Sequence, residues 1–396
     1  MNLEIFKFLW TLIGFIALLV TIPGTIELLI LTIGAILPPR KSAESKNAPF
    51  RLAVVIPAHN ESTNIETCLK SLFRCQDKNS EIVVIADNCT DNTSEIAAKN
   101  GARILMRNNE TERGKGFALD FAFTELLKES FDAFVIVDAD TIVEPNLLSE
   151  FRRLFLAGAN AVQCRYTVAN TESSVRTRLM NIALLAFNVL RPRGRDFWGL
   201  SCGIYGNGFG LRSEILHLVP YSARSVVEDL EYHLELVRKG FRVLFADKTG
   251  VKGEMPASGS GVKTQRSRWE GGRLRMLANF APQLFFEVCK GQFRLLEPLL
   301  DLLLLPLAFH ISLILFSVLQ FDFKLQILGF FSIAIVILHI LSAVFVGKGG
   351  WGDLAVLAYA PFYILWKMSL IKTLFKTSQG DAQWIRTERA NTGEKL

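Results

Sequence analysis

From Phe8 to Leu37 the chain is apolar almost without interruption, and Glu27 is its one ionisable residue there. A bilayer needs roughly 20 such residues, so this pattern predicts a first transmembrane helix. A cleaved signal peptide fits less well, because its apolar region runs only about 7 to 15 residues and no small-x-small cleavage site stands out. Further apolar blocks begin at Leu299 (LLDLLLLPLAFHISLILFSVL) and Leu325 (LQILGFFSIAIVILHILSAVFV), and both are read as spans. A weaker block from Trp351 to Phe375 contains Pro361 and Lys367, which suits a partly interfacial or re-entrant segment.

Between these blocks the periodicity changes. Arg51–Pro57, Glu81–Asp87, Ala102–Met106 and Ala133–Asp140 are short apolar runs ending in polar residues, as buried parallel strands read. Asn64–Phe73, Thr93–Lys99 and Phe117–Lys128 have helical character. The alternation predicts a doubly wound α/β sheet, with ligands beyond the carboxyl ends of the strands, where Pro57, Ala58, Glu61, Asp87, Asp138 and Asp140 fall. Three regions follow: residues 1–49 (helix and linker), 50–280 (catalytic domain) and 281–396 (interfacial helix, spans and tail), with Asn279–Pro298 as the interfacial helix.

Composition agrees with a membrane protein, since half of the 396 residues are hydrophobic and the mean hydropathy is +0.29. Pro38-Pro39-Arg40-Lys41 ends the first block with helix breakers and two cations, and the tail from Lys376 carries more basic than acidic residues. Both favour the cytoplasmic side. The net charge of +6 comes without a long basic run or a zinc-finger pattern, so no nucleic acid is expected; lipid headgroups and an anionic substrate account for it. The six cysteines form no CxxC pair and suit a reduced compartment.

Several residues could carry chemistry. Asp138 and Asp140 stand two apart at a strand end and would project to the same side, as oxygen ligands for Mg²⁺ or Mn²⁺. Asp87 could accept hydrogen bonds from a base or ribose, whereas Asp91 would cap the next helix and His59 reads as a loop histidine. In Arg113-Gly114-Lys115-Gly116, Lys115 would open a helix facing a diphosphate. Glu228-Asp229 begins an amphipathic stretch, and Asp229 is the best candidate in the chain for a base acting on a hydroxyl. His233, one turn on, reads as structural. No P-loop and no GxGxxG after the first strand are present, which disfavours a dinucleotide-dependent oxidoreductase.

PAHNES, ADNCTD, RGKGFAL, VDADT, GNGFGLRSEIL, VEDLEYHLELVRKGFRVLF and QRSRW, in this order over about Val54 to Arg273, make the chain resemble a membrane-bound family 2 glycosyltransferase. Cellulose and hyaluronan synthases and ceramide glucosyltransferases are of this kind. The resemblance implies a GT-A fold, a nucleotide-sugar donor (most often a UDP-sugar), a divalent cation and an inverting transfer. It puts Asp87 on the nucleoside, Asp138 and Asp140 on nucleotide and metal, and Asp229, beside Glu228, in the role of base. Gln265, Arg268 and Trp269 would line the acceptor and diphosphate side. Ala86-Asp87-Asn88-Cys89 departs from the usual two acids followed by Gly-Ser, so nucleoside contacts are expected to differ.

The acceptor is a glycan or a membrane lipid, and the alternative to a polysaccharide synthase is a single-sugar glycolipid synthase. A polymerase with so few spans would call for a homo-oligomer or a partner subunit. A transporter or nucleotide sensor is the non-enzyme alternative. It is disfavoured because the chain keeps both the metal carboxylates and the base. The resemblance places the protein in a bacterial inner membrane with the catalytic domain in the cytoplasm.

Overall fold

The structure, a computed structural model, describes residues 3–38, 48–223, 225, 227–256 and 260–369, without the side chains of 260–264 and 266–268. Pro39–Lys41 and the basic tail, on which the topology expectation rests, lie outside these residues. The chain divides into two compact units.

One unit is built on an eight-stranded sheet. Its strands are β1 (Leu52–Ala58), β2 (Ser80–Asp87), β3 (Arg103–Arg107), β4 (Ala133–Ile136), β5 (Thr141–Val143), β6 (Ala161–Val168), β7 (Phe209–Arg212) and β8 (Val243–Gly253), in the order β3-β2-β1-β4-β7-β6-β8-β5. The first four are parallel, β7 runs antiparallel to both β4 and β6, and β8 is parallel to β6. The sheet is therefore mixed, with the expected parallel half intact. Leu52, Val54 and Ile56 of β1 join Ile65, Leu69 and Leu72 of the Ile65–Phe73 helix and Phe151 and Phe155 of the Leu147–Leu156 helix in a continuous buried core. Helices over Thr93–Lys99 and Lys115–Leu126 complete the alternation.

One expectation needs correction here. β4 stops at Ile136, where its pairing with β7 ends at Phe209, and Asp138 lies in a turn closed by Thr141 N–H donating to Asp138 O at 3.1 Å. The two-residue spacing of Asp138 and Asp140 therefore does not put them on one side of a strand. The chain has left the sheet before reaching them.

The other unit comprises the described residues of Met1–Pro38, Arg178–Trp198 and Arg266–Asp381. Leu3–Ile36 and Phe323–Val346 are each long and apolar enough to cross a membrane. The block at Leu299 differs from expectation: it breaks into Leu296–Leu303 and Leu307–Val318, with the paired segments bent by 77°. Pro306 explains the break, since it lacks an N–H and bars the preceding residue from helical geometry. The unit thus has two candidate spans, or three if the bent pair counts as one. The block at Trp351 holds Trp351–Val356, a 3₁₀ turn and Ala360–Ser369, and its end beyond Ser369 lies outside the described residues.

Asn279–Pro298 is not a separate interfacial helix. A single helix runs from Ser260 to Cys289 and carries the QRSRW residues at its start. The helix runs through Gly271-Gly272 without a break, although such a glycine pair would locally favour one.

Arg178–Trp198 interrupts the chain between β6 and β7 yet packs with the apolar helices. A π-helical turn over Ala186–Leu190 precedes the Arg191–Trp198 helix, which buries Arg191, Gly194 and Arg195. Trp198 Nε1 donates to Ile30 O at 2.8 Å, and a Cβ on Gly194 would meet Leu31 O at 2.2 Å. Only glycine allows this approach of backbone to backbone. Such small-residue contacts replace the hydrophobic drive that lipid cannot supply.

Candidate active site

β1 and β2 lie in parallel register with Ala58 opposite Ala86, so Pro57, Ala58, His59 and Asp87 converge at their carboxyl ends. Asp87 is buried, and Arg107, its register partner on β3, donates to its Oδ1 at 2.7 Å. His59 Nδ1 lies 2.7 Å from Asp87 O, tying the loop after β1 to the end of β2. Asn60 Oδ1 accepts from Thr90 N at 2.8 Å, and Thr93 Oγ1 accepts from Glu61 N at 2.8 Å. Glu61 Oε2 accepts from Asn64 Nδ2 at 2.8 Å. Asp91 is not the cap residue expected, since Asn92 occupies that position; it stands one residue earlier and accepts from Thr93 N at 3.1 Å and from Ser62 N at 3.2 Å. These bonds staple the two loops into one rim.

A second group forms around the loop before β7. Lys115, the first residue of its helix, pairs with Asp138 and donates to Gly206 O at 2.5 Å. Asp229 also lies against Gly206, where a Cβ would meet its Oδ2 at 3.2 Å, and Gly206 has φ +76°. The residue is glycine on both counts. Asp229 Oδ1 accepts from Leu230 N at 2.9 Å, in the first turn of the Glu228–Arg238 helix. Positive dipole ends and acids coincide there, as favoured electrostatically. Gly116 brings this turn close, since a Cβ there would meet Ala223 O at 2.4 Å and Glu228 Cβ at 3.7 Å.

Burial raises the pKa of Glu228, and the neighbouring Asp229 charge adds to it. Burial likewise raises that of Asp229, opposed by the Leu230 N–H and by Lys115. Burial raises Asp87 too, and Arg107 opposes the shift most strongly. A carboxylate made more basic by its surroundings is suited to accept a proton near neutral pH.

Asn207, Gln163 and Thr141 were not singled out from the sequence, yet they hold this group. Asn207 Oδ1 accepts from Asp138 N at 3.1 Å and its Nδ2 donates to Thr141 Oγ1 at 2.8 Å, fixing both ends of the Asp138–Thr141 turn. Gln163 Nε2 donates to Asn207 O at 2.8 Å, and Gln163 Oε1 accepts from Tyr205 N at 3.0 Å. All three side chains are buried. GNGFG could have revealed Asn207 as the polar residue between two glycines; Gln163 leaves no local signal. Asn207→Leu should cost about 1–3 kcal/mol for the buried groups it leaves unpaired, measurable by chemical unfolding, and a variant of wild-type stability would refute the bracing role.

Asp140, half-buried, lies at the end of the turn, and Thr141 Oγ1 reaches its Oδ1 only at 3.4 Å. Among the described residues no set of three or more His, Cys, Asp or Glu could hold a metal unaided. Asp138 and Asp140 nevertheless fit a divalent cation: Mg²⁺-type sites use one or two carboxylates plus substrate phosphates, and Asp138 already faces a cationic group in Lys115. Gln265 and Trp269 are half-buried and one helical turn apart on the Ser260–Cys289 helix; the Arg268 side chain is outside the described residues. His233 is structural as expected, buried with Nε2 at 2.8 Å from Ser201 Oγ.

Residues 53–217 match the family described as Glycosyl transferase family 2. A probable glycosyltransferase of Bacillus subtilis, YdaM, is 26% identical over 260 residues, covering 62% of this chain and 60% of that protein. The poly-beta-1,6-N-acetyl-D-glucosamine synthase of Staphylococcus aureus is 24% identical over 238 residues, covering 58% of this chain and 56% of that protein. This chain thus spans under two thirds of the length of either relative. Among solved structures, a mannosyltransferase of Pyrobaculum calidifontis, in complex with GDP-Man and Mn²⁺, shares the fold with a TM-score of 0.54 at 15% identity, over 94% of this chain and 96% of that one. The mixed sheet, the acids at its strand ends and these likenesses lead to one assignment: the chain carries a family 2 glycosyltransferase domain of the GT-A fold.

Proposed function

We propose that this protein is an inverting glycosyltransferase that moves a sugar from a nucleoside-diphosphate sugar, a UDP-sugar first, to a glycan acceptor at the cytoplasmic face of a bacterial inner membrane. The observation that carries this reading is the grouping of Lys115, Asp138, Glu228 and Asp229 about Gly206, a cation and three acids over the carboxyl ends of the strands. The S. aureus relative, a polysaccharide synthase by name, favours a glycan over a lipid acceptor.

In this reading the loops at Pro57, Ala58, Glu61 and Asp87 hold the nucleoside, and Lys115 turns to the diphosphate. Asp138 and Asp140 hold Mg²⁺ or Mn²⁺, which would stabilise charge on the leaving diphosphate when bound. Asp229 accepts the acceptor's hydroxyl proton as that oxygen bonds to the anomeric carbon. The bond from that carbon to the diphosphate breaks on the opposite face, and its electron pair leaves with the nucleotide. One base and one displacement invert the anomeric centre. Glu228 stands beside Asp229 in the first turn of the same helix, and Gln265, Arg268 and Trp269 take the acceptor side, Trp269 as an aromatic platform. A polymer product would call for a homo-oligomer or a partner subunit.

The test is a donor screen in detergent with UDP-glucose, UDP-N-acetylglucosamine, UDP-galactose and GDP-mannose, with and without Mg²⁺ or Mn²⁺, followed by mass analysis of product. Metal-dependent transfer from a UDP-sugar into a ladder of glycans is expected. A single glycolipid product would point to the single-transfer alternative, and no transfer from any donor would refute the reading.

A further inference from the structure

Asp87 and Arg107 are the last residues of adjacent parallel strands and stand opposite each other in register. Both are buried, each with about 6% of its surface exposed. The loop after β3 is folded back to complete the pair. Arg107 Nη1 donates to Glu112 O at 2.8 Å and Nη2 to Glu112 Oε2 at 3.3 Å, and the guanidinium lies 5.9 Å from the Phe117 ring. Asn88 joins in, donating from Nδ2 to Asp87 Oδ1 at 3.1 Å and accepting at Oδ1 from Asn109 N at 2.8 Å. Arg107 and Asn88 thus both donate to Oδ1, and Oδ2 takes neither bond.

We infer that Arg107 is a positioning residue for the donor nucleotide: it keeps Asp87 ionised and turned so that Oδ2 accepts a hydrogen bond from the nucleoside. The inference rests on the reading that Asp87 contacts the nucleoside. Its physical basis is that a carboxylate removed from water returns to the neutral acid unless a charge partner holds it ionised. Burial acts in that direction at Asp87, and Arg107 is the strongest opposing influence, with His59 and Arg113 adding less. Glu112 is a further charged group in contact with the pair, its Oε2 3.3 Å from Arg107 Nη2. A protonated Asp87 would offer a donor where the nucleoside needs an acceptor. An ion pair that merely fastened the two strand ends would leave no trace in how binding depends on pH.

The experiment is calorimetric binding of UDP, and of GDP in parallel, to the full chain in detergent from pH 6 to 9, for the wild type, Asp87→Ala, Arg107→Lys and Arg107→Gln. The wild type and Arg107→Lys should bind with little pH dependence. Arg107→Gln raises the pKa of Asp87, so the ionised form is lost as pH falls through it, and affinity should drop about tenfold per pH unit on that side. Loss by the same factor at every pH, or no loss, would overturn the role of Arg107. Unchanged nucleotide binding in Asp87→Ala would instead remove the nucleoside reading itself, and no binding of either nucleotide to the wild type would remove both. Should the Gln variant fail to fold, the infrared carboxyl band of Asp87, identified by difference against Asp87→Asn, decides the matter: an ionised band at pH 7 is expected, and a protonated one overturns the proposal.

Discussion

Asp229→Asn is expected to abolish sugar transfer, with kcat lower by about a thousandfold or more, while UDP binding stays within a few-fold of wild type. General-base catalysis alone is worth roughly 10²–10⁴ in rate, and Asp229 is the carboxylate that rests on Gly206, whose carbonyl accepts from Lys115. The amide keeps the shape and the Leu230 N–H contact, so the fold should survive. Single-turnover product formation against calorimetric nucleotide affinity separates the two effects. An Asn variant with near-normal turnover would take Asp229 out of the mechanism, and joint loss of binding and turnover would make it a binding residue instead.

The second large effect is expected in the apolar unit. Arg195 is buried among three carboxylates: it donates to Glu27 Oε1 at 3.2 Å and to Asp301 Oδ1 at 2.5 Å, and it pairs closely with Glu297. Arg191 lies 3.7 Å from Asp301, and Arg273 reaches Asp301 Oδ2 at 3.1 Å. Arg195→Met would strand buried carboxylates, a loss of about 3–5 kcal/mol for a broken buried pair. A marked fall in melting temperature in detergent should follow. Neutralising two of the acids as well, in Arg195→Met with Glu27→Gln and Glu297→Gln, should recover part of it, because Asp301 keeps Arg191 and Arg273 and fewer buried charges are left without a partner. A single Met variant as stable as the wild type would show that the network contributes little.

Legibility in the sequence followed the range of the interactions. β1 and β2 were readable because each buries a continuous apolar run, β3 because its short apolar run survives at the half-exposed sheet edge, and the Glu228–Arg238 helix because its acids and leucines share one period. The β4 end was misplaced because Val137 is as apolar as the strand before it; only the position of Phe209, far along the chain, ends the ladder. β7 has four residues and is placed by antiparallel pairing on both sides, so no local pattern announces it. The acids of the site were legible as types at strand ends. Arg107 and Asn207 were not, because their roles exist only once distant strands and loops lie side by side.

Arg178–Trp198 carries a practical consequence for anyone seeking a soluble catalytic fragment. The residues that this stretch packs against, among them Leu31 and Ile30, lie at the start of the chain, and its Arg191 and Arg195 are neutralised by acids at Glu27, Glu297 and Asp301. Trimming both apolar ends would therefore leave, in the middle of the remaining polypeptide, two arginines and the helix face around Gly194 stripped of their complement. Cuts that remove both long apolar helices would expose this stretch to water, so detergent or lipid belongs to the handling of the protein from the first purification step.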